Sequence, residues 1–200
     1  MKHLVDRDLV AAELAAGHLV AIPTDTVYGV AARLDCPDAV RALFRAKGRP
    51  ETVALPVFVS SLDEATTYGA RVNERAVRLT AVFWPGPLTV VVDASTKLAQ
   101  AIGATDSVGL RCPHDDDVAA LVARSGPLVV TSANRHGEPP CTTADDVLAV
   151  FAEQGLVTAV FDGGVREGAV SSVVDTRGSE LVILRDGALS ATRLRSVLED

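Results

Sequence analysis

Short apolar runs, each closed by polar or turn-forming residues, constrain this chain more than any other feature. Leu19–Ile22, Leu128–Thr131 and Val157–Phe161 are such runs, and their length fits buried strands rather than helices. Between them lie segments whose punctuation is helical: Asp8–Ala16, Pro37–Ala46, Leu62–Tyr68, Glu74–Phe83, Asp115–Arg124, Ala144–Ala152 and a short closing piece, Leu194–Leu198. Pro37 suits a first helical turn, while Gly17 and Gly48 suit helix stops. Pro85-Gly86-Pro87 breaks the chain before a strand at Leu88–Val92. Further strands are expected at Ala54–Val59, Val108–Arg111, Ser172–Asp175 and Leu181–Leu184. Strands and helices alternate early and strands cluster late, which predicts an α/β fold with helices packed on a mixed sheet. No repeat, low-complexity run or long linker divides residues 1–200, so a single domain is expected.

The core must be built from Val, Leu and Ala, because 48% of residues are hydrophobic but only 4% aromatic. A net charge of -7 argues against a life of non-specific nucleic-acid binding, although Arg41, Arg45, Lys47 and Arg49 make a local basic segment. Cys36, Cys112 and Cys141 are widely spaced and form no zinc pattern, so reduced thiols and a cytoplasmic setting are expected. Charges of both signs over Met1–Asp8, with Glu13 and His18 beyond, do not make a signal peptide. No stretch reaches the ~18 apolar residues a membrane helix needs.

The usual nucleotide signatures are missing: there is neither a G-x-x-x-x-G-K-[ST] loop nor a G-x-G-x-x-G after a strand. Any ATP would have to be held largely by side chains. No G-x-S-x-G elbow is present, and the four histidines form no ligand set. Asp115-Asp116-Asp117 point in different directions on one turn and read as a helix start. Lys47 and Arg49 flank Gly48 at a helix end. They suit a polyphosphate, and they equally suit the negative end of the helix dipole. Ser132-Ala133-Asn134 and Thr24-Asp25-Thr26 each follow a buried strand, where ligands of α/β sheets commonly bind and where Asx or Ser turns also occur. Arg111 ends an apolar strand and needs a partner, for which a ligand carboxylate would serve.

These fragments occur together in a recognisable order. Pro23-Thr24-Asp25-Thr26-Val27-Tyr28-Gly29, Lys47-Gly48-Arg49-Pro50, Trp84-Pro85-Gly86-Pro87-Leu88-Thr89, Val108-Gly109-Leu110-Arg111-Cys112-Pro113, Thr131-Ser132-Ala133-Asn134, Ser171-Ser172-Val173-Val174-Asp175 and Leu184-Arg185-Asp186-Gly187 follow the order and spacing of the YrdC-like family. The resemblance covers about residues 8 to 190 and is to the short, single-domain members. It implies a twisted mixed sheet with a concave basic cavity. It also implies the formation of threonylcarbamoyl-adenylate and pyrophosphate from L-threonine, bicarbonate and ATP, for threonylcarbamoyladenosine modification of tRNA. Carried over by motif, Thr26, Phe58, Arg111, Ser132 and Ser171 would hold threonine. Lys47, Arg49, Ser107, Asn134, Thr142 and Arg185 would hold ATP, with Lys47 and Arg49 acting in catalysis. Mg2+ would ride on the phosphates without protein ligands. The product would pass to threonylcarbamoyl-transfer proteins, with tRNA contact weak at most.

Three positions depart from the family pattern. Phe58 stands where relatives often have histidine, Val53 where a polar residue is usual, and His136 where a serine is usual. Two other readings remain open at this level: a carbamoyl-adenylate-forming domain of another pathway, and a non-enzymatic RNA-binding or ribosome-assembly factor.

Overall fold

The computed structural model describes residues 1–199. In chain order its elements are β1 (Lys2–Leu4), α1 (Arg7–Ala15), β2 (Leu19–Ile22), β3 (Gly29–Arg33), α2 (Pro37–Lys47), β4 (Val57–Phe58), α3 (Leu62–Thr67), β5 (Ala70–Arg71), α4 (Glu74–Phe83), β6 (Leu88–Ala94), α5 (Thr96–Ala101), β7 (Ser107–Arg111), α6 (Asp116–Ser125), β8 (Leu128–Ser132), α7 (Ala144–Phe151), β9 (Val157–Phe161), β10 (Ser172–Asp175), β11 (Val182–Arg185) and α8 (Ala191–Glu199). All eleven strands join one mixed sheet in the order β1-β9-β2-β3-β8-β4-β7-β6-β10-β11, with β5 pairing β6. The expected α/β architecture is the observed one.

Several elements are capped as their sequences require. Asp6, Ser61, Asn73, Asp115 and Thr143 each accept a hydrogen bond from a first-turn backbone N–H of the helix that follows. Gly48 closes α2 at φ 61°, a left-handed conformation that disfavours a side chain. Four elements are missed from sequence: β1, β3, β5 and α5. Gly29-Val30-Ala31-Ala32-Arg33 is poor in β-branched residues, and it becomes a strand because β2 and β8 pair with it on both sides. The expected strand at Ala54–Val59 shortens to Val57–Phe58. There Pro56 has no N–H to give, and the Leu55 N–H turns to Ile102 instead of to the ladder.

Helices cover the two faces of the sheet unequally. On one face, residues of α2, α4, α5 and α7 pack with alternate strand residues such as Ala21, Val57, Val90, Leu110 and Val174 to form the main core. On the other, α1 and α6 pack over β2, β3, β8 and β9 in a smaller cluster that includes Val10, Leu14, Val20, Leu121, Val130 and Phe161 and reaches β4 only through Phe58. The rest of that second face, over β6, β7 and β10, contributes no residue to this cluster. The cavity lies there.

Candidate active site

The pleat of the strands builds the cavity floor. Thr89 and Val91 of β6, Ser107, Gly109 and Arg111 of β7, Val130 and Ser132 of β8, and Val173 and Asp175 of β10 are alternate residues that line it. Their neighbours Leu88, Val90, Val108, Leu110 and Val174 are buried in the main core. The space enclosed is about 490 Å³, enough for a small ligand with a nucleotide. Gly109 keeps the floor low, since a Cβ there would stand 3.2 Å from the Thr89 methyl.

Arg111 dominates one end. Its Nη2 donates to Asp25 Oδ1 at 2.5 Å, its Nε to the Gly86 carbonyl at 3.2 Å and its Nη1 to Thr26 Oγ1 at 3.4 Å. Its guanidinium carbon lies 5.4 Å from the centre of the Phe58 ring, within cation–π range. Burial lowers its pKa while Asp25 opposes that shift; the guanidinium stays cationic. The Thr24–Val27 turn that presents Asp25 and Thr26 is tied by Thr24 Oγ1, which accepts from the N–H of Thr26 and donates to the Val27 carbonyl. Gly168 closes against this turn, where a Cβ would fall 2.8 Å from Thr26 Cα.

The other end is cationic without carboxylate partners. Arg49 donates through Nε to the Val53 carbonyl and through Nη2 to the Ala54 carbonyl, both at 2.9 Å. Arg185 donates to the Ser171 carbonyl at 2.9 Å and to Ser171 Oγ at 2.8 Å, and Ser171 Oγ lies 3.1 Å from Thr89 Oγ1. Neither arginine has an ion pair with a carboxylate among the described residues. Burial lowers the pKa of both, and for Arg185 the nearby charges of Arg111 and Arg49 lower it further. The three guanidiniums therefore act in one field.

Of the residues expected to act, Thr26, Arg49, Phe58, Ser107, Arg111, Ser132, Asn134, Ser171 and Arg185 line this cavity. Lys47 and Thr142 do not. Lys47 is only 3% exposed, and its Nζ donates to the Ser132 carbonyl and to Asn134 Oδ1, both at 2.6 Å. It braces the strand end from behind, and burial, with the charge of Arg49, pushes its pKa down to about 8. Thr142 donates to Asp146 through both its backbone N–H and its hydroxyl, beside the cap of α7. Asn134 is also committed, accepting from Lys47 and from Ser132 Oγ and donating to the carbonyls of Arg135 and Glu138. The basic segment does not form one patch, because Arg41 faces solvent and pairs with Asp38.

Sequence reasoning missed Glu138 and Arg177, which line the cavity. Arg177 bridges Asp175 and Asp106 at the rim. Its two-residue spacing from Asp175 was a usable signal, whereas Glu138 sits in an exposed loop with none.

A family model described as "Telomere recombination", and named for Sua5, YciO and YrdC, matches residues 12–187. A threonylcarbamoyl-AMP synthase of Pyrococcus abyssi is 35% identical over 193 residues, 95% of this chain and 56% of that protein. The crystal structure of P. abyssi Sua5 complexed with L-threonine matches with a TM-score of 0.90 at 32% identity, covering 98% of this chain and 60% of that one. E. coli YciO, at 20% identity, shares the fold with a TM-score of 0.83 over 96% of this chain and 97% of its own. The chain thus spans little more than half the length of the P. abyssi relatives it matches, and it belongs to the Sua5/YciO/YrdC family.

Proposed function

We propose that this chain condenses L-threonine, bicarbonate and ATP into threonylcarbamoyl-adenylate and pyrophosphate, the activated group for threonylcarbamoyladenosine in tRNA. The observation that carries the proposal is the cavity's charge pattern. One end presents an arginine already set against a carboxylate, and the other presents Arg49 and Arg185 with none. Such a cavity suits a small amino acid at the first end and a polyanion at the second. The names of the P. abyssi relatives agree with it.

The balance of the reaction is simple. The threonine ammonium and bicarbonate give a carbamate, water and a proton. A carbamate oxygen then bonds to the α-phosphorus as the bond to the pyrophosphate leaving group breaks. Both reactants are anionic, so the main task of the protein is to hold like charges together and in line. Arg111, with Thr26, Ser132 and Ser171, orients threonine above Phe58. Arg49, Arg185 and Ser107 hold ATP, Asn134 shapes the loop against it, and Lys47 and Thr142 support that end from behind. The Arg185–Ser171 hydrogen bonds link the two subsites directly.

No cluster of three or more potential metal ligands exists among the described residues. The carboxylates lining the cavity are Glu138 and Asp175, and Asp175 is engaged by Arg177. This donor set fits Mg2+ carried by phosphate oxygens and water, where it would neutralise triphosphate charge. Delivery to threonylcarbamoyl-transfer proteins and tRNA follows from the same reading. Among the described residues no helix is long and apolar enough to cross a membrane.

The test is pyrophosphate release from ATP with threonine and bicarbonate omitted in turn. Release is expected only when both are present. A rate unchanged without threonine rejects the proposal and leaves carbamoyl-adenylate formation as the better reading.

A further inference from the structure

Asp25 is unexplained by the roles assigned so far. Its side chain is 10% exposed and its partner Arg111 is 6% exposed, so the pair is well removed from water. Arg111 lines the cavity, and Asp25 is not among the lining residues. The carboxylate therefore stands behind the guanidinium. Arg111 is held from four sides: by Asp25, by the Gly86 carbonyl, by Thr26 Oγ1 and by the Phe58 ring. Three of its five N–H groups are thereby committed, leaving two for a ligand.

We infer that Asp25 is a positioning residue that fixes Arg111 for recognition of the substrate's α-carboxylate. The inference rests on the proposed function for the identity of that substrate. Two physical needs meet in the pair. A buried cation without a counter-charge is costly, so the empty site needs a carboxylate of its own. A guanidinium recognises a second carboxylate well only when its plane is fixed, because the paired N–H donors are directional. The backbone on either side of Asp25 is tied by the hydrogen bonds of the Thr24–Val27 turn. Among the described residues its carboxylate has one hydrogen-bond partner, Arg111.

The experiment is calorimetric titration with L-threonine and with L-threoninol, which keeps the amine and side chain but has an alcohol in place of the carboxylate. Wild type is expected to prefer threonine. Asp25→Asn is expected to weaken threonine by about tenfold or more while leaving threoninol and ATP affinities unchanged. Loss of affinity for threonine and threoninol alike would reduce Asp25 to a structural role and overturn the inference, as would an unchanged preference. If Asp25→Asn does not fold, Asp25→Glu keeps the charge on a longer arm and must still narrow the preference; an unaltered preference there is equally fatal. Failure of wild type to bind threonine at all is a different outcome, which rejects the proposed function and this inference with it.

Discussion

At one end of the cavity Arg111 lies 2.5 Å from the Asp25 carboxylate, while at the other Arg49 and Arg185 have, among the described residues, only carbonyl and hydroxyl oxygens as partners. All three guanidiniums are partly or wholly buried, and burial lowers the pKa of each. The difference is in what happens when the ligand is away. The Arg111 end is electrostatically complete and geometrically fixed. The Arg49 and Arg185 end carries excess positive charge that only an anion relieves. A small amino acid with one carboxylate needs the first arrangement, and a triphosphate is served by the second.

The largest effect expected from this contrast is on stability. Arg111→Ala strands Asp25 as a buried unpaired carboxylate, which costs about 3–5 kcal/mol and lowers Tm by roughly 10 °C in a chain of this size. Arg185→Ala and Arg49→Ala leave no buried charge alone, so their stabilities should stay within about 1 kcal/mol of wild type. Their loss falls on ATP instead, with affinity reduced about 10- to 100-fold; threonine affinity stays nearly unchanged in Arg49→Ala and falls less than ATP affinity in Arg185→Ala, which also frees Ser171. Thermal denaturation with calorimetry of both ligands checks this. If Arg185→Ala lowers Tm as much as Arg111→Ala does, the two ends are not built differently.

Lys47 gives the next effect, and it depends on pH. Its folded pKa of about 8 is below the ordinary 10.5. Between those values the unfolded chain binds a proton that the folded chain has released, so stability rises with pH across that window. The gain is on the order of 3 kcal/mol if burial acts alone, and less to the extent that the Ser132 and Asn134 oxygens favour the ammonium. ATP binding moves the other way, weakening as pH climbs through about 8 and the positive charge behind Asn134 is lost. Lys47→Met should flatten both profiles. A wild-type ATP affinity that is constant from pH 7 to 9 would remove Lys47 from the electrostatics of the nucleotide end.

The contrast between the two ends was only partly legible in the sequence. Arg111 at the end of an apolar strand announced its need for a partner, and the loops after β2 and β8 announced a ligand-binding edge. That the partner is Asp25 is a long-range fact: the two residues are 86 positions apart, and the antiparallel and parallel pairings of β2, β3, β8, β4 and β7 bring them together. The floor was invisible for a similar reason. Thr89, Gly109 and Val173 are ordinary strand residues until one face of their strands is left uncovered by helices. Lys47 and Arg49 looked alike as neighbours in a motif. The left-handed turn at Gly48 separates them, leaving Lys47 on the buried side of α2 and sending Arg49 to the cavity.

The smallest effect concerns Val53, where the motif leads one to expect a polar residue. Arg49 is anchored by the backbone carbonyls of Val53 and Ala54, while the Val53 residue is 39% exposed. A carbonyl is present whatever the side chain, so the departure leaves the anchor of Arg49 intact. Val53→Ser should therefore change ATP affinity by less than about twofold and leave Tm unaltered, as calorimetry and thermal denaturation can show. A gain of tenfold or more would mean that a hydroxyl at position 53 reaches the nucleotide. The nucleotide end would then be set by side-chain contacts as specific as those around Arg111, and its description as a field of unpaired cations would be incomplete.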